Sequence, residues 1–344
     1  MSGWVIMMLR VHGVAPGVSV QDLGRPGWTA QGLSRGGAAD RLALLEAAAL
    51  LETGPDNAVL EMMGAGGTFS TGSDTRIALT GAVMQADIDG APVALNVTHP
   101  LRAGQRLRVG GARQGVFGYL AFKGGVLTPK VMDSRAAHLT AGIGAPLKEG
   151  DTIPIGSDDD PLGGPRHLPV VDRLGGGTIR LMPGPQTDFF AQDTLERFAG
   201  TSFVRSPRGN RQGVRMDHDG APFGMDGKPN IASDLIVPGD VQMTGDGVPY
   251  VLLSEGQTTG GYPRIGTVIP DDLPKVAQAM PGAPVRFQWL NVAEAEATYR
   301  SEQRILRDLR AACGPLTRDP HDIADLLGYQ LIGGVTRGDD LERS

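Results

Sequence analysis

Arginines, hydroxyls and glycines gathered in turn-rich loops are the residues of this chain best suited to chemistry. Between apolar runs at 250–253 and 265–269 lies a polar loop carrying Glu255, Gln257, Thr258, Thr259, Gly260, Gly261, Tyr262 and Arg264. A plain hairpin tip needs few of these groups. Gln257 and the two threonines can orient a substrate by hydrogen bonds, and the glycine pair lets backbone N–H groups come close to a ligand. Tyr262 can donate a hydrogen bond or stack on a ring. Arg25 stands in Asp22-Leu23-Gly24-Arg25-Pro26-Gly27, while Arg208, Arg211 and Arg215 share a stretch in which Pro207, Gly209 and Gly213 oppose a helix. If the end of that stretch is a strand, alternation puts Arg211 and Arg215 on one face. Guanidinium forks grip carboxylate or phosphate with two prongs. The expected site therefore binds an anion, with loops from both halves of the chain contributing.

Other chemistries are less well supplied. Gly32-Leu33-Ser34-Arg35-Gly36 fits the G-x-S-x-G pattern of hydrolases. No buried apolar strand precedes it, and no His and acid follow in a recognisable context, so Ser34 reads as the cap of the next helix. The 6 histidines are scattered without metal-ligand spacing, and no metal is expected. Asp217, His218, Asp219 and Asp226 read as a polar hairpin. No G-x-x-x-x-G-K-[ST] run supplies a nucleotide loop, and no lysine sits between methionines as a biotin acceptor. No catalytic base is identified.

Composition bounds the elements that must hold these loops. With 51 Gly and 25 Pro in 344 residues, many short apolar runs favour a mainly β protein rich in turns. A net charge of −6 opposes non-specific nucleic-acid binding. A lone cysteine, Cys313, fits a reducing compartment. The apolar run at 4–9 is too short for a signal peptide or a membrane span. A soluble cytoplasmic protein is expected, with no membrane and no nucleic-acid partner. The clearest helix is 38–52, rich in Ala and Leu and stopped by Gly54-Pro55. Strands are expected at 9–14, 76–80, 84–88, 92–95, 106–109 and 116–122, with Asp89-Gly90 as a hairpin turn. The run 157–173, with Asp158-Asp159-Asp160 and Gly163-Gly164-Pro165, resembles a linker. Strands resume at 178–182, 202–205, 213–216 and 234–237, with a short helix at 188–198 capped by Thr187. After a strand at 285–290, residues 292–312 read as one helix with acids first and arginines last. A shorter helix is expected at 320–327 and an apolar tail at 331–335.

Several segments together resemble one family. They are Gln-Asp-Leu-Gly-Arg-Pro-Gly-Trp (21–28), GGAADRLAL (36–44), ALTGA (78–82), GYLAFKGG (118–125), LMPGPQTDFF (181–190) and SEGQTTGGYPRIGTVIPDDL (254–273). They are similar to the biotin-dependent carboxyltransferase family, also labelled allophanate hydrolase subunit 2, which includes the C-type subunit of bacterial 5-oxoprolinase. The resemblance implies two cyclophilin-like β-barrel subdomains in tandem with a short helical appendix. The domains expected from it are 1–160 and 178–291, joined by a linker at 161–177 and followed by a helical tail at 292–344. It implies a subunit, inactive alone, of an ATP-dependent complex that cleaves 5-oxo-L-proline to L-glutamate. A subunit-B-like partner, a transient subunit-A-like partner and ATP as co-substrate come with that reading. One alternative is the carboxyltransferase half of a biotin-dependent urea or amide carboxylase. Another is a non-catalytic binding module that antagonises a kinase inhibitor. Where the family has Ser-Asp-Arg-Met-Gly-Tyr-Arg, this chain has Gly209-Asn210-Arg211-Gln212-Gly213-Val214-Arg215. Both arginines stay, but an amide replaces the acid and Val214 replaces the aromatic ring.

Overall fold

A computed structural model describes residues 6–224 and 232–316. Its first half is a curled antiparallel sheet of nine strands spanning residues 7–155. Two long strands, Thr75–Ile88 and Leu107–Phe122, pair along almost their whole lengths. The sequence suggests four short strands there, because glycines interrupt the apolar runs. The interruptions are instead bulges: register shifts fall between Gly81 and Ala86, and Gly81 takes φ +80°. Strand Thr98–Leu101 also joins this sheet. The run expected at 92–95 is a two-residue strand, Ala91–Pro92, beyond the turn at Asp89 and Gly90.

The sheet closes on itself through a single residue. Val126 bridges Ala58 on one side and Ile155 on the other. Its N–H donates to Ala58 O at 2.9 Å, and the next N–H, of Leu127, donates to Pro154 O at 2.7 Å. Leu9, Leu60, Phe69, Ile77, Leu107, Leu120 and Ile155 fill the interior.

The second half is a closed barrel of seven strands. In order around the ring these are Gly177–Met182, Arg264–Val268, Asp240–Met243, Pro249–Leu252, Gly213–Asp217, Phe203–Gly209 and Pro284–Trp289. The last returns to the first as a parallel pair. The helix Gln192–Gly200 lays Phe198 over Phe287, centroids 4.9 Å apart, with Phe203 and Phe223 around them. Thr187 does not cap this helix. Its hydroxyl donates to Ile265 O and accepts from Gly184 N–H, both at 2.8 Å.

Between the barrels lies the helix Arg41–Leu50, whose residues Ala43–Leu50 are all buried. Asp40 is its cap, accepting from Ala43 N–H at 3.1 Å. The small side chains let it pack on more than one face, which explains its weak apolar–polar contrast. The run expected as one helix at 292–312 is two, Val292–Thr298 and Glu302–Ala312. Asn291 and Ser301 cap them, so the chain turns at Tyr299–Arg300. Leu306 is buried against Leu45, Ala48 and Ala49, which ties this appendix to the central helix. The helix and tail expected at 320–335 lie outside the described residues.

The stretch 157–173 is not a slack connector. Asp158 forms a two-pronged pair with Arg76, at 2.8 and 3.0 Å. Arg173 enters the junction, donating to Asp40 at 2.8 Å and to both oxygens of Glu46 at 2.8 and 2.7 Å.

Candidate functional site at the junction of the two barrels

The polar groups that bind the barrels together form one buried network. Glu61, on strand Val59–Met63, accepts from Tyr119 OH and from Ala39 N–H, each at 2.8 Å. The Tyr119 hydroxyl oxygen in turn accepts from Asp40 N–H at 2.7 Å. Burial, then the charges of Glu61 and Asp40, push the Tyr119 phenol well above its ordinary pKa. Gln278, from the helix Leu273–Gln278 of the second barrel, donates to Asp40 Oδ2 and Phe117 O and accepts from Val116 and Phe117 N–H. Its amide thus joins the two halves with all its capacity used.

Arg211 is the charge at the centre. It sits in the turn between strands Phe203–Gly209 and Gly213–Asp217, where Asn210 Oδ1 accepts from Gln212 N–H at 2.7 Å. From there it reaches across the junction to Glu61, to Gly37 O and to Glu255 Oε1, the last at 2.6 Å. Burial opposes its charge, but Glu61 and Glu255 outweigh that, so it is held protonated more firmly than a free arginine. Burial likewise raises the Glu255 carboxyl, yet Arg211 wins and the pKa falls below its usual range.

Glu255 leads to a group that sequence reading sets aside. Its Oε2 accepts from Thr140 Oγ1 at 3.2 Å and lies 4.0 Å from His138 Nδ1. His138 Nε2 is 2.7 Å from Ser34 Oγ. Ser34 is therefore no helix cap; Asp40 takes that part. These are the residue types of a serine–histidine–acid relay, but their hydrogen-bond order differs. His138 Nδ1 accepts from Ala141 N–H at 3.3 Å, so the neutral ring carries its proton on Nε2 and donates to Ser34. Activation of Ser34 would need the other tautomer, with Nδ1–H turned to Glu255. The signal for this cluster in the sequence is only the G-x-S-x-G match, because His138 and Glu255 are remote along the chain.

Burial, helped by Arg25 and Arg211 and opposed by Glu255, lowers the His138 pKa. A histidine that is harder to protonate when folded costs stability in acid. That loss begins as pH falls below the unfolded value of about 6.5 and continues down through the folded pKa. We expect His138→Gln, which cannot titrate, to flatten the fall of melting temperature between pH 6.5 and 5. Equal slopes in variant and wild type would remove His138 as the cause.

Arg25 is buried beside this cluster. It donates to Ala136 O, while its Nη1 has no hydrogen-bond partner among the described residues. The structure thus brings Arg25, Arg211 and Glu255 together. Arg215 is elsewhere, paired with Asp217 at 2.8 Å and Asp246 at 3.0 Å on the barrel surface. The shared face expected for Arg211 and Arg215 is absent because the strand begins only at Gly213. Arg208 also stays outside, its backbone N–H bonded to Ser206 Oγ at 3.3 Å. Arg211 and Arg215 each face two carboxylates and are not free to grip phosphate.

The loop Gln257–Tyr262 runs from Glu255 along the end of the second barrel. Thr259–Gly260 pairs with Asp234–Leu235, and buried Thr258 accepts from Ile236 N–H through its carbonyl. Gln257 donates to Gln242 Oε1 at 3.4 Å, and Tyr262 is 49% exposed. A Cβ at Gly260 would lie 2.7 Å from Ile236 Cδ1 and 2.9 Å from Gln257 Nε2, the ends of two side chains that would have to shift. Asp217 and His218 stand apart, with the His218 ring beside Phe203 and Phe223. Asp226 lies outside the described residues. Among those residues no cluster of His, Cys, Asp and Glu could hold a metal, and no helix is long and apolar enough to cross a membrane.

Comparison with known proteins gives this geometry a context. The family model described as "Carboxyltransferase domain, subdomain A and B" matches residues 31–289. The C-type subunit of 5-oxoprolinase from Escherichia coli K12 is 34% identical over 307 residues, covering 88% of this chain and 97% of that protein. The urea amidolyase of Lachancea kluyveri is 26% identical over 264 residues, covering 69% of this chain but 14% of the relative. Among solved structures, that of TTHA0988 superposes with a TM-score of 0.76 at 28% identity, covering 84% of this chain. This chain spans 57% of that one, little more than half its length.

Proposed function

The chain belongs to the carboxyltransferase-domain family, subdomains A and B, and from that premise we propose that it is one subunit of an ATP-dependent 5-oxoprolinase complex. The complex would open 5-oxo-L-proline to L-glutamate. The observation that carries this reading is the match to the C-type subunit of a 5-oxoprolinase along 97% of that relative.

An unstrained lactam is a poor electrophile, and phosphorylation of its oxygen by ATP would supply a leaving group. The chain's own contribution in this reading is preorganisation. Its two halves are locked by Arg211, Gln278 and Arg173, and the loops around Arg25, Ser34 and His138 are held by that lock. Arg25 Nη1 is one of the junction's donors without a hydrogen-bond partner among the described residues, suited to negative charge that develops on a bound group. We assign nucleotide binding to a partner subunit, since Arg211 and Arg215 are already held by carboxylates. The partners in this reading are a subunit-B-like protein, stably bound, and a subunit-A-like protein, bound transiently.

The test is reconstitution. Co-purified with a subunit-B-like protein and mixed with a subunit-A-like one, the chain is expected to support release of ADP and L-glutamate from 5-oxo-L-proline. The chain alone is expected to release neither. A full mixture that leaves 5-oxo-L-proline untouched would overturn the reading. The family description favours a second reading, transfer of carboxylate from biotin on another chain to urea or an amide. Carboxylated acceptor formed in the presence of a carboxybiotin carrier would select it.

A further inference from the structure

A cleft of about 550 Å³ opens between the start of the helix Arg41–Leu50, the segment 270–274 of the second barrel and the bend at 299–303. Leu42, Leu45, Leu253 and Ile305 give it apolar walls. Its volume suits a small molecule. Its charges do not balance: Arg35, Arg41 and Arg300 line it against Asp271 and Glu302.

Arg300 is matched, both its Nε and Nη2 lying within 3.1 Å of Asp271 Oδ2. Arg35 and Arg41 are left to share Glu302. Arg35 Nη2 lies 3.3 Å from Glu302 Oε1, and Arg41 Nη2 pairs with that same oxygen. Arg35 Nε is taken by Leu23 O at 2.8 Å. Arg41 Nε and Nη2, however, have no hydrogen-bond partner among the described residues, Nη2 making only that ion pair with Glu302, and Ser254 Oγ in the same wall has none either. Burial and the neighbouring charge of Arg35 bring the Arg41 pKa down to about 10. Guanidinium nitrogens and a hydroxyl without partners in one cleft are costly to leave unmet. A carboxylate has two oxygens to offer such donors, and its charge offsets the surplus positive charge.

We propose that this cleft binds a small carboxylate with an apolar or cyclic body, held by Arg41 and Ser254, and that Glu302 competes with it for Arg41. The last helix thereby carries an internal rival to the ligand. Leu306 keeps that helix docked on Leu45 and Ala49 whether or not Glu302 lets go. The ligand class follows from the cleft alone. 5-Oxo-L-proline, a ring bearing a carboxylate, belongs to it, but the site does not depend on that reading.

Isothermal titration calorimetry on the full chain tests the proposal, with cyclopentanecarboxylate as probe and cyclopentanecarboxamide as its neutral control. The carboxylate is expected to bind the wild type, and the amide at least about tenfold more weakly. Glu302→Gln removes the rival charge and is expected to tighten carboxylate binding about tenfold. Arg41→Met is expected to abolish it. Should Arg41→Met fail to fold, the comparison of Glu302→Gln with wild type decides alone. Affinity unchanged in Glu302→Gln, or no binding by either protein at millimolar probe, would overturn the inference. If cyclopentanecarboxylate binds and 5-oxo-L-proline does not, the carboxylate site stands and the lactam reading must find its substrate elsewhere.

Discussion

Arg211→Met is expected to destabilise the protein by about 3–5 kcal/mol, because it leaves Glu61 and Glu255 buried without their shared cation. Both carboxylates keep some partners. Glu61 retains Tyr119 and Ala39 N–H, and Glu255 retains Thr140. Neither set brings a positive charge. Urea denaturation at pH 7 measures the loss. Arg215→Met is the control, since its carboxylate partners are 44% and 55% exposed, and it should cost under about 1 kcal/mol. Adding Glu61→Gln to Arg211→Met should recover part of the loss, because the amide keeps hydrogen bonds without charge. The pH dependence should also change sign. In the wild type, Glu255 has a lowered pKa, so its contribution is present above the unfolded value of 4.5 and fades as pH falls through the folded one. Without Arg211 the same carboxyl resists ionising, and the variant should lose less, relative to wild type, as the solution is made acidic. If Arg211→Met and Arg215→Met prove equally mild, the junction is not held by charge.

Arg211 could be singled out from its glycine- and proline-rich setting, but its partner could not. Glu61 lies 150 residues away on a strand, Val59–Met63, that shows almost no alternation because residues 59–62 are all buried. The same physics hides Ser19–Gln21 and Asp240–Met243, in which every residue is buried, polar ones included. Strands with one wet face, such as Gly177–Met182 and Pro284–Trp289, were legible by their alternation. Helix breaks were not, since the acidic-to-basic drift from Glu294 to Arg310 continues smoothly across the turn that Ser301 caps. At the site, Glu255 and Arg25 were legible as polar groups in tight loops. His138 is not, because its segment is held by a distant strand, Ala137 N–H donating to Val20 O at 2.8 Å. Arg173 looked like linker composition and is among the most firmly paired cations of the junction.

The closing of that sheet is also where a single methyl group should do the most damage. Gly124 belongs to the Gly118–Gly125 segment, GYLAFKGG, and lies just before Val126, whose bridges to Ala58 and Ile155 complete the ring. A Cβ at Gly124 would stand 2.1 Å from the carbonyl carbon and oxygen of Gly156. The obstacle is backbone, which cannot rotate away like a side chain. Gly156 is itself fixed, its N–H donating to Gly125 O at 3.0 Å. The two segments, each just beyond a strand end, must therefore separate to admit the methyl. Gly124→Ala is expected to cost about 3 kcal/mol or more, the upper range for overpacking. It should also abolish hydrogen-exchange protection at the Val126, Leu127 and Gly156 amides. Gly72→Ala is the control, for a Cβ there meets nothing within 4 Å. Because His138 and Ser34 are carried by loops of this same half, loosened closure should also separate the 2.7 Å pair that joins them. The altered titration of His138 would report this by NMR. Melting of Gly124→Ala at the temperature of Gly72→Ala, with those amides still protected, would mean that the ring does not depend on Gly124 and Gly156 meeting backbone to backbone.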